Sequence, residues 1–239
     1  MKKHIPNLIT LGNLLSGTVA TILAVEGYLI YAGLFVVLGI IFDFFDGFAA
    51  RLLNVSGELG KQLDSLADMV TSGVVPGIVM LQLLSEESFN VHRFTEGFTL
   101  ATFTPLLGLL LTLGACYRLA KFNIDTRQSE SFIGLPTPAM SLFVISLPLI
   151  LEYGRIEFVE NIIRSNYFLI GVTVLLTYLM NAEIPLFSLK FKEYSIKKNF
   201  IKYLFLLISL VMLLTIQFVS IPLIISFYVC LSVLSNRRI

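Results

Sequence analysis

The sequence is short of the residues that keep a protein in water. Only 14% of its 239 residues are charged, it has no tryptophan, and it carries two cysteines and two histidines. A soluble domain has roughly 25% charged residues, so an ordinary soluble enzyme is excluded. Two cysteines exclude a secreted disulfide scaffold, and the modest glycine and proline content (16 and 8) excludes collagen. Disorder is excluded by what is present instead, 56% hydrophobic residues. Charge of either sign is scarce in net terms: 17 basic against 16 acidic residues leaves +1, with no nucleic-acid footprint. Cys116 and Cys230 both fall inside apolar runs and read as small buried hydrophobes rather than a disulfide or a nucleophile.

Long apolar runs are the dominant feature. A hydrocarbon core about 30 Å thick needs ~20 apolar residues per helix. Eight stretches qualify, at about 8–26, 30–53, 64–84, 98–122, 137–151, 167–181, 200–218 and 220–235. The first follows a basic start (Lys2, Lys3) like a signal peptide, but no small-residue cleavage site follows it, so it reads as a permanent span. The stretch from Tyr203 to Ser235 has no charge and as one helix would run to about 50 Å. Ser220-Ile221-Pro222 is the expected break, giving two short antiparallel spans. The chain is therefore expected to be an all-α polytopic membrane protein, one domain over 1–239.

Basic residues orient it. With the N-terminus inside, Lys2, Lys3, Arg51, Lys61, Arg118, Lys121, Arg127, Lys190, Lys192, Lys197, Lys198, Lys202, Arg237 and Arg238 fall inside, fourteen in all, and only Arg93, Arg155 and Arg164 fall outside. That asymmetry requires an even number of spans, with both termini cytoplasmic.

Four aspartates interrupt the inner ends of spans two and three: Asp43, Asp46, Asp64 and Asp68. Ionisable groups in spans are costly and mark function. Asp43 and Asp46 lie about 60° apart on one helix, Asp64 and Asp68 about 40° apart on the next. A short connection, roughly residues 52–63, lets all four converge, and four anions together require a cation. All-oxygen ligation favours Mg²⁺, Mn²⁺ or Ca²⁺, and four carboxylates suit a two-metal clamp on a phosphoryl transfer. Gly47 and Ala50 leave the helix smooth beside the acidic face, where a flat ligand could approach, and Arg51 could hold a phosphate. Gly60 continues the stripe of Asp64 and Asp68; close helix packing explains it equally well. Arg118 and Lys121, one turn apart, read either as a positive-inside anchor or as an anion clamp. Asn123 is expected to cap or end that helix. His4 and His92 read as surface residues, and Lys190–Lys202 as an interfacial loop facing anionic lipid.

The string D-F-F-D-G-F-A-A-R from Asp43 to Arg51, followed by Gly60, Asp64 and Asp68 at fixed spacing, resembles the signature DxxDGxxAR, eight residues, GxxxDxxxD of the CDP-alcohol phosphotransferases. Every defined position is met. Pro6-Asn7-Leu8-Ile9-Thr10 resembles the first-span P-N-x-x-T element of that family. Arg118–Asn123 and Phe132–Pro138 are similar to its bacterial, phosphatidylserine-forming branch, and the resemblance covers about residues 5–140.

That resemblance implies a six-helix core, here about 5–181, with two further spans over about 200–235. It also implies a homodimer in the cytoplasmic (inner) membrane with its site open to the cytoplasm. An alcohol would displace CMP from CDP-diacylglycerol with help from Mg²⁺ or Mn²⁺, two ions in all. Asp43 and Asp64 would bridge them, Asp46 would complete one site and Asp68 the other, with Asp68 also the general base. Asn7, Thr10, Gly47, Ala50, Arg51 and Gly60 would contact the CDP-lipid, and Arg118 and Lys121 would clamp a lipid phosphate or a serine carboxylate. L-Serine is the expected acceptor; glycerol phosphate, inositol phosphate and choline are alternatives, and a cation transporter is the competing class.

Overall fold

A computed structural model describes residues 4–55, 57–85, 100–125, 132–187 and 199–236. Its helices are α1 (His4–Val25), α2 (Leu29–Leu53), α3 (Glu58–Asp68), α4 (Val75–Leu84), α5 (Leu100–Phe103), α6 (Leu110–Ile124), α7 (Thr137–Tyr153), α8 (Glu157–Ile163), α9 (Asn166–Asn181), α10 (Phe200–Ile216) and α11 (Ser220–Asn236). A π-helical turn, Met69–Val74, joins α3 to α4 without a break, and a 3₁₀ turn, Thr104–Leu109, leads into α6. The chain is an all-α polytopic membrane protein. Among the described residues five helical stretches are long and apolar enough to cross a membrane, the fifth being the whole of Phe200–Ser235, or six if α8 and α9, bent by 71°, count as one; α7 is a shorter apolar helix.

Several boundaries differ from the sequence expectation. The third helix begins at Glu58, so the connection after α2 is only residues 54–57. Glu58, Lys61 and Gln62 obscured that start, because a helix can extend beyond the apolar run. Asn54 stops α2 in the left-handed conformation (φ 52°), which asparagine tolerates better than most residues. The uncharged stretch from Phe200 to Ser235 does fold back. Phe205 and Phe227 have ring centroids 5.8 Å apart, whereas one continuous helix would separate them by roughly 33 Å. The reversal falls at Gln217 (φ 47°) and not at Pro222. Pro222 lies in the first turn of α11, where its missing N–H costs no hydrogen bond. Cys116 and Cys230 are exposed free thiols, contrary to the buried expectation; an apolar run places a residue in a helix but does not choose its face.

The first helix sits at the centre. Its buried face is Pro6, Thr10, Asn13, Ser16, Gly17, Ala20 and Ala24, a stripe of small and polar residues at helical spacing. Leu8, Leu15 and Ile22 on the opposite face are more than 60% exposed, as a lipid-facing side requires. Small residues let neighbouring backbones approach closely. Gly17 and Gly39 both face Thr71 of the π turn, and Gly33 of α2 packs on Ile145 of α7.

Arg51, Lys61, Arg118 and Lys121 occupy the end of the bundle that holds the aspartates, whereas Arg155 lies beyond the far end of α7. Lys2, Lys3, Arg93, Arg127, Lys190, Lys192, Lys197, Lys198, Arg237 and Arg238, together with His92, lie outside the described residues. Among the described residues strands occur only as β1 (Phe132–Ile133) and β2 (Pro185–Leu186), paired antiparallel with Phe132 opposite Leu186. Gly134 follows with φ 74°, and its N–H donates to the Ile184 carbonyl at 2.9 Å. A Cβ there would run into the Met180 carbonyl, so the Phe132–Pro138 segment serves to fasten the start of α7 to the end of α9.

Candidate active site

The last turns of α2 carry Asp43 and Asp46, and α3 carries Asp64 and Asp68 one turn apart. The four-residue connection returns the chain directly, so the two acidic faces meet. Asp43, Asp64 and Asp68 each present a carboxylate oxygen within 4.8 Å of the others. Asp46 does not join that group of three. It is 6% exposed and turned toward α1, where its Oδ2 accepts a hydrogen bond from Thr10 Oγ1 at 2.5 Å.

Three carboxylates this close repel one another strongly where water is scarce. Asp64 Oδ1 is buried and has no hydrogen-bond partner. Buried polar atoms are nearly always satisfied, so an orphaned carboxylate oxygen inside a triad of carboxylates fits a hard cation. The donor set is oxygen only, which suits Mg²⁺ or Mn²⁺ better than zinc.

Asn13 was legible in the sequence only as a polar residue in an apolar run. It is fully buried, and its Nδ2 donates to Asp68 Oδ1 at 3.1 Å. Its Oδ1 accepts from Thr71 Oγ1 at 2.7 Å. The signal that could have found it is its register: Asn13 lies on the same α1 face as Thr10, one turn deeper.

Beside the carboxylates the helix surfaces are bare. A Cβ on Gly47 would meet only Arg51 Nη1, at 3.8 Å, and one on Gly60 only Asn7 Oδ1, at 3.6 Å. Both are ordinary contacts. Close helix packing therefore does not account for either glycine, in contrast to Gly108, whose Cβ would lie 2.6 Å from the Leu81 nitrogen. Arg51 is exposed and Ala50 half-buried, so the strip from Gly47 to Arg51, with Asn7 across from Gly60, remains open to a ligand.

Arg118 and Lys121 do not act as a matched pair. Arg118 is 7% exposed, interacts electrostatically with Asp68, and lies with Cζ 5.9 Å from the centre of the Phe122 ring. Its Nε is buried without a partner. Lys121 instead bridges to Glu183, with Nζ 3.3 Å from Oε1. Asn123 does not cap α6 with its side chain. It exchanges hydrogen bonds with Ser65, while its carbonyl accepts from Lys61 Nζ at 2.5 Å, tying α6 to α3. A separate cavity of about 550 Å³ between α7, α8, α9 and α11 is lined by apolar side chains with Ser226 and Cys230, and by no carboxylate or basic group.

The sequence is similar to those of known proteins. The family model described as CDP-alcohol phosphatidyltransferase matches residues 3–179. The chain is 36% identical over 160 residues to a CDP-diacylglycerol–serine O-phosphatidyltransferase of Bacillus subtilis, covering 63% of this chain and 81% of that one. It is 30% identical over 203 residues to the protein of the same name from Helicobacter pylori J99, covering 84% and 79%. An archaetidylserine synthase of Methanothermobacter thermautotrophicus is 27% identical over 175 residues, covering 72% and 66%.

Proposed function

Because the chain belongs to the CDP-alcohol phosphatidyltransferase family, we propose that it transfers the phosphatidyl group of CDP-diacylglycerol to the hydroxyl of L-serine, forming phosphatidylserine and CMP. The observation that carries this reading is the Asp43–Asp64–Asp68 triad with its orphaned oxygen, set beside the open Gly47–Arg51 strip. The names of the Bacillus and Helicobacter relatives support serine as the acceptor.

In this proposal Asp43, Asp64 and Asp68 would hold two divalent ions, Mg²⁺ or Mn²⁺, with Asp46 joining them on giving up its bond to Thr10. Ions bound there would supply positive charge to offset the diphosphate and the charge that develops on transfer. The side chains do the rest. Arg51 pairs with the diphosphate, and Gly47, Ala50 and Gly60 let the cytidine lie against the helices, with Asn7 and Thr10 on the facing helix. Arg118, buried and short of an acceptor, takes an anion at the acceptor side, for which the serine carboxylate is the right size. The serine oxygen forms a bond to the lipid-side phosphorus as the bond from that phosphorus to the CMP oxygen breaks. The hydroxyl proton passes to a carboxylate, Asp68, and CMP leaves with the electron pair. Lys121, engaged with Glu183, has a supporting role at most.

The same proposal places the protein in the cytoplasmic (inner) membrane as a homodimer, with eight spans, both termini and the site facing the cytoplasm, and residues 5–181 as the reacting core. Basic residues gathered at the carboxylate end support that orientation. Labelling of single cysteines at either terminus tests it: a periplasmic C-terminus refutes the eight-span arrangement.

The deciding assay is CMP release by purified protein given CDP-diacylglycerol, Mg²⁺ or Mn²⁺, and a set of acceptors. Release with L-serine alone is expected. Transfer to glycerol 3-phosphate and none to serine overturns the acceptor, and no CMP release with any alcohol overturns the reading as an enzyme.

A further inference from the structure

Asn13 and Thr71 are wholly buried polar residues that take no part in the reaction above. Buried amides and hydroxyls are costly unless satisfied, and these two satisfy each other around Asp68. Thr71 has one hydroxyl proton, and its Oγ1 lies 2.7 Å from Asn13 Oδ1 and 3.2 Å from the Asn13 carbonyl. Receiving that proton at Oδ1 fixes which way the amide points, because Asn13 can then offer only its NH₂ to Asp68. The donation to Asp68 Oδ1, at 3.1 Å, fixes one carboxylate oxygen of a residue that presents an oxygen within 4.8 Å of those of Asp43 and Asp64.

The surrounding backbone is shaped for this contact. Thr71 belongs to the π turn Met69–Val74, which follows Asp68 directly. π turns locally widen a helix and recur at functional sites. Gly39 of α2 clears the space beside the pair: a Cβ there would lie 2.6 Å from Thr71 Cγ2 and 2.8 Å from Asn13 Oδ1. Gly17 of α1 does the same from the other side, where a Cβ would collide with Thr71 Oγ1. Positions on α1, α2 and the π turn therefore converge on one buried threonine.

We propose that the Asn13–Thr71 pair is a positioning device for Asp68: the Thr71 hydroxyl locks the Asn13 amide, and the amide holds the Asp68 carboxylate in the orientation in which one oxygen faces the metal site. This rests on the proposed metal reading, and losing a hydrogen-bond partner that orients a metal ligand typically costs about 10–100-fold in metal affinity or activity. Neither residue is catalytic; both act through Asp68.

The test is Mn²⁺ binding to the purified full chain without lipid substrate, followed by electron paramagnetic resonance, with steady-state kinetics alongside. Thr71→Val keeps the shape and removes the hydroxyl. It should weaken Mn²⁺ binding about 10-fold or more and lower kcat, while the serine KM moves by less than about twofold. Thr71→Ser should restore both. Gly39→Ala, which touches no carboxylate, should reproduce the Thr71→Val loss by crowding the pair, and Asn13→Leu should do so by removing the amide. Wild-type Mn²⁺ affinity and kcat in Thr71→Val overturns the proposal. So does a Thr71→Ser protein as impaired as Thr71→Val, since Thr71 would then matter through its methyl group. If the wild-type chain binds no Mn²⁺, the metal reading itself fails, and that result is distinct from a failure of the variants to differ.

Discussion

Thr10 Oγ1 lies 2.5 Å from Asp46 Oδ2, a hydroxyl on the central helix donating to a carboxylate on its neighbour. That bond separates Asp46 from the other three aspartates. Asp43, Asp64 and Asp68 face one another, whereas Asp46 faces α1 and is the most enclosed in terms of surface. The four acids of one sequence pattern thus occupy two different environments.

Thr10→Val removes the donor and leaves a buried carboxylate oxygen unpaired. An unsatisfied buried group costs about 1–3 kcal/mol, so the thermal midpoint in detergent should fall, and kcat/KM for CDP-diacylglycerol with it. Thr10→Ser should recover most of both. An unchanged midpoint and unchanged kinetics in Thr10→Val would show that Asp46 does not depend on this bond.

Asp64→Asn should abolish turnover without unfolding the protein. The residue it replaces is an anion with an orphaned oxygen among other anions, so in EDTA the variant should melt no lower than wild type. Mg²⁺ or Mn²⁺ should raise the midpoint of the wild-type protein and not that of the variant. Near-wild-type turnover by Asp64→Asn rules out the metal assignment.

Two glycine substitutions should behave oppositely. Gly47→Ala meets only the movable end of Arg51, at 3.8 Å. Alanine also favours helix by up to about 1 kcal/mol over glycine, so stability should hold or rise while the KM for CDP-diacylglycerol increases. Gly108→Ala would press on the Leu81 backbone, 2.6 Å away, and should lower the midpoint. Thermal melts and CMP release on the same preparations separate the two.

At the acceptor side Arg118→Ala should raise the serine KM far more than Lys121→Ala. Lys121 makes a partly exposed ion pair with Glu183, a contact worth about 0–1 kcal/mol, whereas Arg118 is buried with a donor to spare. Serinol, which lacks the carboxylate, should be a poor acceptor for the wild type and no poorer for Arg118→Ala. Equal effects of the two substitutions would restore a paired clamp.

Much of this was legible in the chain. Apolar runs located the membrane helices, and the spacing of Asp43, Asp64 and Asp68 anticipated that these carboxylates meet, because helical periodicity converts spacing into direction. What the spacing could not supply was which oxygen faces which neighbour. Asp46 turns to Thr10 because α1 passes on that side, and Lys121 turns to Glu183 because the end of α9, where Asn181 Nδ2 donates to the Gly114 carbonyl, brings that segment alongside α6. Asn13 and Thr71 are 58 residues apart, so no local pattern joins them. The reversal at Gln217 was missed for a different reason: proline is the visible breaker, and a non-glycine residue with positive φ leaves no compositional mark.

The short connection at residues 54–57 has a consequence for the order in which the protein is made. Thr10 and Asn13, all four aspartates and Thr71 lie within the first 71 residues, on helices that are consecutive in the chain. Arg118 arrives some fifty residues later, on α6. During synthesis the acidic centre and its supports can therefore assemble from helices consecutive in the chain before α6 is made. Arg118 is then added to a centre already formed.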